Sequence, residues 1–548
     1  MLVNNDIACR MSDGTWLYAD VYRPAATGRF PVIITRTPYQ KETERFTERA
    51  HYFAERGYVY VIQDVRGKGK SEGTFYPFFN EARDGYDTLT WAAEQHWSNG
   101  CIGTIGASYG AWTQWLTAIL DHPNLHAMLV EASPPDFFQC VPYERGALSL
   151  TLFGWLLQLA AKPEQTTAQI DWQSALSFRP LSGMDRACGR HIQAWQDWLV
   201  HDREDEYWRA IAFNRSVQDI HVPVFHMSGW YDDVLVGTLA NYSTMCRGKG
   251  SRTGPELQKL CIGPWPHRLN STSKYGKIDF GERGIIDLFA EQMKWFDFRL
   301  KGLSSGVESE HPVRYHLMGA NRWCDDVQWP PSRASALRLF LHSTGGANTR
   351  KGNGRIDATT PGAEPADEFT YDPAHPAPFI TDPGWTQLGG PDDYAAVEER
   401  EDILVYSTTP LEHDIAVVGP ITVYLFAASS AVDTDFVARL LDVCPDGYVM
   451  RLNDGIVRAR FRHSLSDPVP IVPNRVYEYC INCWATAYVF GKGHRIRLEI
   501  SSSEFPRFDP NLNTGRPIRD DEEGVVARQT IYHDREHPSH LIVYVLAH

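Results

Sequence analysis

The chain has 548 residues, enough for roughly three to four domains of about 150 residues each. Its 43% hydrophobic and 22% charged residues are the balance of a folded globular protein and exclude wholesale disorder. The formal net charge of −15, without any long Lys/Arg run, argues against nucleic acid and anionic membrane surfaces as partners.

The opening "MLVNNDIACRMSDGTW" lacks a basic start followed by an apolar run, and no stretch approaches about 18 uninterrupted apolar residues. Neither a secretion signal nor a membrane-spanning helix is expected. The expectation is a cytoplasmic protein whose ten cysteines stay reduced. Cys480 and Cys483 have C-x-x-C spacing, but their neighbours alternate as in a strand. The two would face opposite sides of a sheet, and there is no second such pair, so no zinc site is expected there.

In chain order, "MSDGTWLYADVYRP" places Asp13-Gly14 between two β-like runs and predicts a hairpin. "FPVIITRTPY" and "VYVIQDVRG" read as buried strands. "FTERAHYFAERGY" reads as a helix stopped at Gly57, and "EARDGYDTLTWAAEQHW" as another helix. This β-α-β-α order with near-continuous apolar strands predicts a parallel sheet covered on both faces. From about 136 to 216 helical patterns follow one another with no clear strand between them, as in an all-helical insertion. "HVPVFHMSGWYDD" and "QKLCIGPWPH" then resume the strand-loop rhythm, and "IIDLFAEQMKWFDFRLKG" reads as an amphipathic helix ending at Gly302. Beyond about 311 the texture becomes short alternating strands with Gly, Pro and Asp turns, the signature of a β-sandwich or jelly roll. The Gly-, Pro- and Asp-rich stretch 343–395 reads as a long surface connection.

Two pentapeptides fit G-x-S-x-G, the pattern of a serine nucleophile elbow: Gly69–Gly73 around Ser71 and Gly106–Gly110 around Ser108. An elbow needs a strand before the serine and a helix after it, so that a sharp turn lifts the hydroxyl above the sheet and the helix N-terminus faces the developing oxyanion. Ser71 is followed by "TFYPFF", where Pro77 and the aromatic residues disfavour a helix. "RGKGKSEG" also lacks the glycines of a Walker or dinucleotide loop and reads as a structural loop. Ser108 precedes "YGAWTQWLTAILDHP", helical until Pro123, with small residues Gly106, Ala107, Gly110 and Ala111 around it.

A serine hydroxyl needs a general base and an acid that orients that base. In an α/β-hydrolase the chain order is serine, acid, histidine. "VPVFHMSGWYDD" supplies Asp232 or Asp233, which spacing alone does not separate, and "KLCIGPWPH" supplies His267. His226 sits inside its strand and reads as a core residue.

The segments "MSDGTWLYADVYRP", "TPYQK", "DVRGKGKSEG", "GASYGAWTQW", "GWYDD", "GPWPH", "WFDFRLKG", "MGANRWCDDVQWPP" and "HRIRLEISSSEFPRFDPN" occur in this order over nearly the whole chain. The sequence resembles the CocE/NonD hydrolases, the cocaine-esterase-like branch of the X-Pro dipeptidyl-peptidase (S15) superfamily. The resemblance implies an α/β-hydrolase core (1–135 and 217–306), an inserted helical cap (136–216) and a C-terminal jelly-roll β domain (307–548). It also implies Ser108 as nucleophile, Asp232 rather than Asp233 as acid, and His267 as base. The implied oxyanion hole is the Tyr39 hydroxyl and the Tyr109 backbone N–H. Here Gly110-Ala111 follow Tyr109, where many relatives place the larger residue first.

These readings predict a serine esterase acting on a small-molecule ester through an acyl-enzyme, with no metal or organic cofactor. Phe153, Trp155 and Trp172 are candidate pocket residues, with cap packing as the alternative for each. The other readings are an X-Pro dipeptidyl aminopeptidase, an α-amino-acid ester hydrolase or an amide acylase, or a non-catalytic ligand-binding protein on the same fold. A substrate ammonium would require carboxylates at the site, for which Asp202, Glu204, Asp205 and Glu206 are available. A homo-oligomer is left open.

Overall fold

The computed structural model describes residues 1–135, 137–160, 170–248, 257–381 and 389–547. The expected hairpin is β1 (Leu2–Arg10) and β2 (Trp16–Arg23), closed by a Met11 N–H to Thr15 carbonyl bond of 2.8 Å with Gly14 at φ +92°. There follow β3 (Phe30–Thr37), α1 (Glu44–Ala54), β4 (Val59–Asp64), α2 (Glu81–Glu94), β5 (Ser98–Ala107), α3 (Tyr109–Ala118) and β6 (Leu125–Glu131). The next segment holds α4 (Thr151–Ala160), α5 (Trp172–Leu176), α6 (Met184–Ala187), α7 (Gln193–Val200) and α8 (Glu206–Arg209). It also contains two two-residue strands that the helical reading did not anticipate, β7 (Tyr143–Glu144) and β8 (Ala147–Leu148). Residue 136, where the cap was expected to begin, lies outside the described residues.

The chain then returns through β9 (Val224–Tyr231), α9 (Leu235–Cys246), β10 (Gln258–Pro266), the small pair β11 (Lys274–Tyr275) and β12 (Ile278–Asp279), and α10 (Leu288–Lys301). Asp287 caps α10 by accepting the Ala290 N–H at 3.0 Å, and Gly302 ends it in the left-handed conformation, as its position in the sequence predicts.

Ten strands form the first sheet in the order β1-β2-β4-β3-β5-β6-β9-β10-β13-β14, where β13 is Val313–Leu317 and β14 is Arg322–Asp326. The pairs from β4 through β13 are parallel, and their apolar strands are covered on both faces. Phe46, Phe53, Trp295 and Phe296 of α1 and α10 close one face, while α2, α3 and α9 close the other. The β13–β14 hairpin lies beyond the expected boundary at 307 and yet joins the first sheet. Its alternation fits any antiparallel pair, but Leu260–Ile262 of β10 pair with Val313–Tyr315, so the hairpin completes the edge of the first sheet.

The second sheet has eleven strands running from β15 (Ala334–His342) to β25 (His540–Leu546), and all but one of its pairings are antiparallel. The expected connection 343–395 is not featureless; it carries the strands β16 (Arg355–Asp357) and β17 (Asp367–Tyr371). Cys480 is exposed and Cys483 buried on β22 (Tyr477–Phe490), on opposite faces as the alternation predicts.

The segment 505–511 of this β domain grips the base of the helical segment. Leu148 and Asp509 exchange bonds of 2.7 and 2.9 Å, and the Leu150 N–H donates to the Arg507 carbonyl at 2.9 Å. The buried Arg507 guanidinium pairs with Asp454 and lies 3.5 Å from Glu144 of β7. Burial alone would raise the Asp454 carboxyl, but Arg451 and Arg507 together hold it well below the usual carboxylate range. Replacing Arg507 with Met leaves buried carboxylates underpaired. The expected outcome is a loss of about 3–5 kcal/mol in stability, read as an earlier urea transition than in the parent protein.

Candidate active site

The parallel strands direct their carboxyl ends to one edge of the sheet, where ligands of such sheets bind. Ser108, Asp232 and His267 follow β5, β9 and β10, and Tyr39 lies two residues beyond β3. Ser108 sits at φ +58°, ψ −116°, between the strand and the first residue of α3. This backbone costs about 1–3 kcal/mol for a non-glycine residue. It is held by Ser108 N–H bonds to the Glu131 and Ala132 carbonyls at 3.0 and 3.2 Å, and by the Ala111 and Trp112 N–H groups on its own carbonyl. A Cβ at Gly106 would lie 2.9 Å from the Gly110 carbonyl oxygen, so the turn requires glycine there.

Tyr109 opens α3, where a helix leaves its first N–H groups without internal acceptors. Its ring is wholly buried, donating from its hydroxyl to Glu81 at 2.7 Å and accepting the Phe78 N–H at 3.2 Å. Only its amide is left for the site. The Tyr39 N–H donates to Thr37 Oγ1 at 3.0 Å, and Thr43 Oγ1 donates to the Tyr39 carbonyl at 2.8 Å, which fixes the turn after β3. The Trp155 indole N–H of α4 donates to the Tyr39 hydroxyl at 2.9 Å. Burial holds the Tyr39 phenol above its ordinary value, against the opposing pull of Trp155, the His267 charge, Arg45 and a hydrogen bond with the Ser108 side chain. The Tyr39 phenol therefore stays protonated, with Trp155 as its hydrogen-bond donor.

His267 Nδ1 lies 2.8 Å from Asp232 Oδ1 in hydrogen-bond geometry. Asp232 is fully buried; it also accepts Ser228 Oγ at 2.6 Å and the Val234 N–H at 3.2 Å. Asp233 Oδ1 lies 2.8 Å from the same nitrogen but outside hydrogen-bond geometry. Both carboxylates thus lie 2.8 Å from one imidazole nitrogen, with hydrogen-bond geometry on the Asp232 side. Burial opposes charging His267, yet Asp233 and Asp232 overcome it and hold the imidazole well above its ordinary value. Burial pushes Asp232 up, and Asp233 stays low under the His267 charge despite burial.

Ser71 is excluded by its bonds: its buried hydroxyl donates to the Asp64 carbonyl at 2.7 Å and accepts the Tyr18 N–H at 3.0 Å. Burial drives His226 down to about 3, and it rests on Gln258 at 3.2 Å within the core. Of the three candidate pocket residues, Trp155 reaches the site. Phe153 is wholly buried against Trp195 inside the cap, and Trp172 covers Gly154. The aromatic wall beside Trp155 is one the sequence reading missed: Phe78 stacks on Trp155 at 6.1 Å and touches Trp112 and Phe137, which stack on each other at 5.3 Å. Those residues come from three separate segments, and no local pattern joins them.

Asp232, Asp233 and His267 are also one of two described groups whose ligand atoms could chelate a metal ion. The other, Asp442, Cys444 and His494, lies in the β domain, where Asp442 already accepts His494 at 2.7 Å and Tyr488 at 2.6 Å. No described helix is long and apolar enough to cross a membrane.

The X-Pro dipeptidyl-peptidase (S15 family) model matches residues 13–268, and that of the X-Pro dipeptidyl-peptidase C-terminal non-catalytic domain matches residues 305–542. The chain is 34% identical to the cocaine esterase of Rhodococcus sp. (strain MB1 Bresler) over 99% of its own length and 98% of that protein. This chain belongs to the S15 family. A putative serine esterase of Mycobacterium bovis is 24% identical over 91% of this chain and 90% of its own. Among solved structures, an aminopeptidase from a marine-sediment Thaumarchaeota archaeon superposes with a TM-score of 0.88 at 25% identity, covering 100% of this chain and 97% of that one. An α-amino acid ester hydrolase gives 0.87 at 26% identity, covering 99% and 96%.

Asp233→Asn removes one of the two negative charges that favour the imidazolium, so the His267 pKa falls and the neutral ring persists to lower pH. Titration of the labelled histidine by NMR checks this; an unmoved His267 would show that Asp233 has no influence on the ring.

Proposed function

We propose that this S15-family serine hydrolase cleaves small-molecule carboxylic esters through an acyl-enzyme on Ser108. His267 accepts the Ser108 proton as Oγ attacks the ester carbonyl, and Asp232 keeps Nδ1–H pointed inward so that Nε2 is the basic nitrogen. The Tyr39 hydroxyl and the Tyr109 N–H meet the oxyanion. His267 then gives its proton to the departing alcohol, and water repeats the sequence on the acyl-Ser108 ester. The observation that carries this reading is Asp232 on His267 Nδ1 at 2.8 Å, at the same sheet edge as the positive-φ Ser108 turn.

The peptidase reading needs free carboxylates to hold a substrate ammonium. The acidic run does not supply them. Asp202 faces Arg460, Glu204 pairs with Arg215, Asp205 caps α8 and binds His201, and Glu206 pairs with Arg209. Ester cleavage, the activity in the name of the 34%-identical relative, is accordingly preferred over X-Pro amide cleavage. All ten cysteines are free thiols, which supports a reducing, cytoplasmic setting.

A sulfonyl fluoride or organophosphate is expected to label Ser108, and Ser108→Ala to abolish both labelling and ester turnover. Tyr39→Phe removes one oxyanion donor, with an expected drop in kcat of about 10²–10³. Because the imidazole pKa is raised, the base form is lost as pH falls, so kcat/KM declines on the acid side through the His267 value. Labelling of another residue with Ser108 untouched, or a panel in which X-Pro amides are cleaved faster than esters, would overturn the assignment.

A further inference from the structure

His267 Nδ1 can carry a single proton, yet two carboxylate oxygens lie 2.8 Å from it, Asp232 Oδ1 and Asp233 Oδ1. The two differ in what else holds them. Asp232 is bound through both oxygens, with the Val234 N–H on Oδ1 and the Ser228 hydroxyl on Oδ2. Among the described residues, nothing donates a hydrogen bond to the buried Asp233 Oδ1. A buried acceptor without a donor is destabilising, so its place against His267 calls for a reason. The backbone around it is tied down. The Cys140 thiol, kept protonated by burial, donates to the Asp233 carbonyl at 2.8 Å, and the Leu235 N–H donates to the Asp232 carbonyl at 3.1 Å. Asp233 Oδ1 meets Nδ1 in distance and misses it in direction, because the ring N–H is aligned with Asp232. Rotation of the imidazole or of the Asp233 carboxyl group about side-chain bonds is the only movement that alignment with Asp233 needs. Both charges already act on the ring: burial opposes charging His267, and Asp233 and then Asp232 overcome it.

We propose that Asp233 is a second acid for His267, a positioning residue that receives the Nδ1–H when Asp232 is removed or turned away. The inference rests on the acyl-transfer reading above. The acid of a serine triad does two things. It keeps the proton of the neutral ring on Nδ1, so that Nε2 is basic, and it stabilises the imidazolium that forms as the serine proton arrives. Where one carboxylate does both, its loss lowers kcat by about 10⁴. Here either aspartate can be lost and a carboxylate oxygen still lies within 2.8 Å of Nδ1.

The test is a substitution cycle read with 4-nitrophenyl butyrate. Asp233→Ala is expected to lower kcat a few-fold in the parent protein, and by about 10²-fold in Asp232→Ala, where it takes the last carboxylate from Nδ1. The double variant then approaches the loss of about 10⁴ of a triad without its acid, with KM little changed because neither carboxylate binds substrate. NMR of isotope-labelled histidine, above the pKa of the ring, reads the tautomer without reference to activity. The proton is expected on Nδ1 of His267 in Asp232→Ala and on Nε2 only in the double variant. An Asp232→Ala protein as slow as the double variant, or one already in the Nε2–H tautomer, would overturn the proposal. Where Asp232→Ala does not fold, Ser228→Ala loosens Asp232 by removing its Oδ2 donor. Asp233→Ala is then expected to lower kcat more in Ser228→Ala than in the parent, and equal losses in the two would count against a second acid just as firmly. A parent protein that cleaves no ester would instead overturn the acyl-transfer reading, and the tautomer measurement would still decide the role of Asp233.

Discussion

The site depends on one backbone constraint, the left-handed turn at Ser108 that joins β5 to α3. It stands because the strand and helix approach so closely that Gly106 has no room for a Cβ beneath Gly110, and because Glu131 at the end of β6 and the next residue, Ala132, offer their carbonyls to the Ser108 N–H. The same turn fixes the hydroxyl above the sheet edge and presents the Tyr109 amide at the positive end of a fully buried helix. Tyr109 pays for its place in the turn by burying its ring, and the hydroxyl bond to Glu81 satisfies the polar atom that this burial would otherwise strand.

The remaining groups are brought to that turn by parts of the chain distant in sequence. Asp232 and His267 arrive together because β9 and β10 are parallel neighbours. Gly229 lets the Trp265 backbone come within 1.9 Å of where a Cβ would lie. The Tyr39 hydroxyl is held by Trp155 of α4, and the approach to α4 is in turn bound to segment 505–511 of the β domain. The β domain therefore reaches the site through the cap, although none of the groups assigned to acyl transfer belongs to it. Arg507 and its carboxylates sit at that joint, with their charges removed from water and matched to one another.

Much of the site was legible because each part of it carries a local cost that only certain residues meet. A turn of positive φ flanked by small residues selects Gly-x-Ser-x-Gly, and the absence of a helix after Ser71 separated the two copies. The order of acid and base follows from strands that each end in a functional loop. Spacing could not choose between Asp232 and Asp233, because neighbours on one loop differ by which carboxylate meets the Nδ1–H in line. Nor did it show that both charges act on His267. Among the pocket residues, α4 placed Phe153 and Trp155 only two positions apart, yet one turned into the cap and the other toward Tyr39. That outcome is set by what each helix face meets.

The sequence by itself indicated the parallel core, the β-rich C-terminal half, and a candidate serine followed in order by an acid, Asp232 or Asp233, and His267. Those features rest on periodicity, turn chemistry and chain direction, all of which are local. Tertiary structure alone decided that β13 and β14 extend the first sheet and that Trp155 holds the Tyr39 hydroxyl. These depend on which surfaces meet across hundreds of residues. The energy of such contacts comes from burial and from the pairing of particular atoms, and neither leaves a repeat or a spacing for the chain to display.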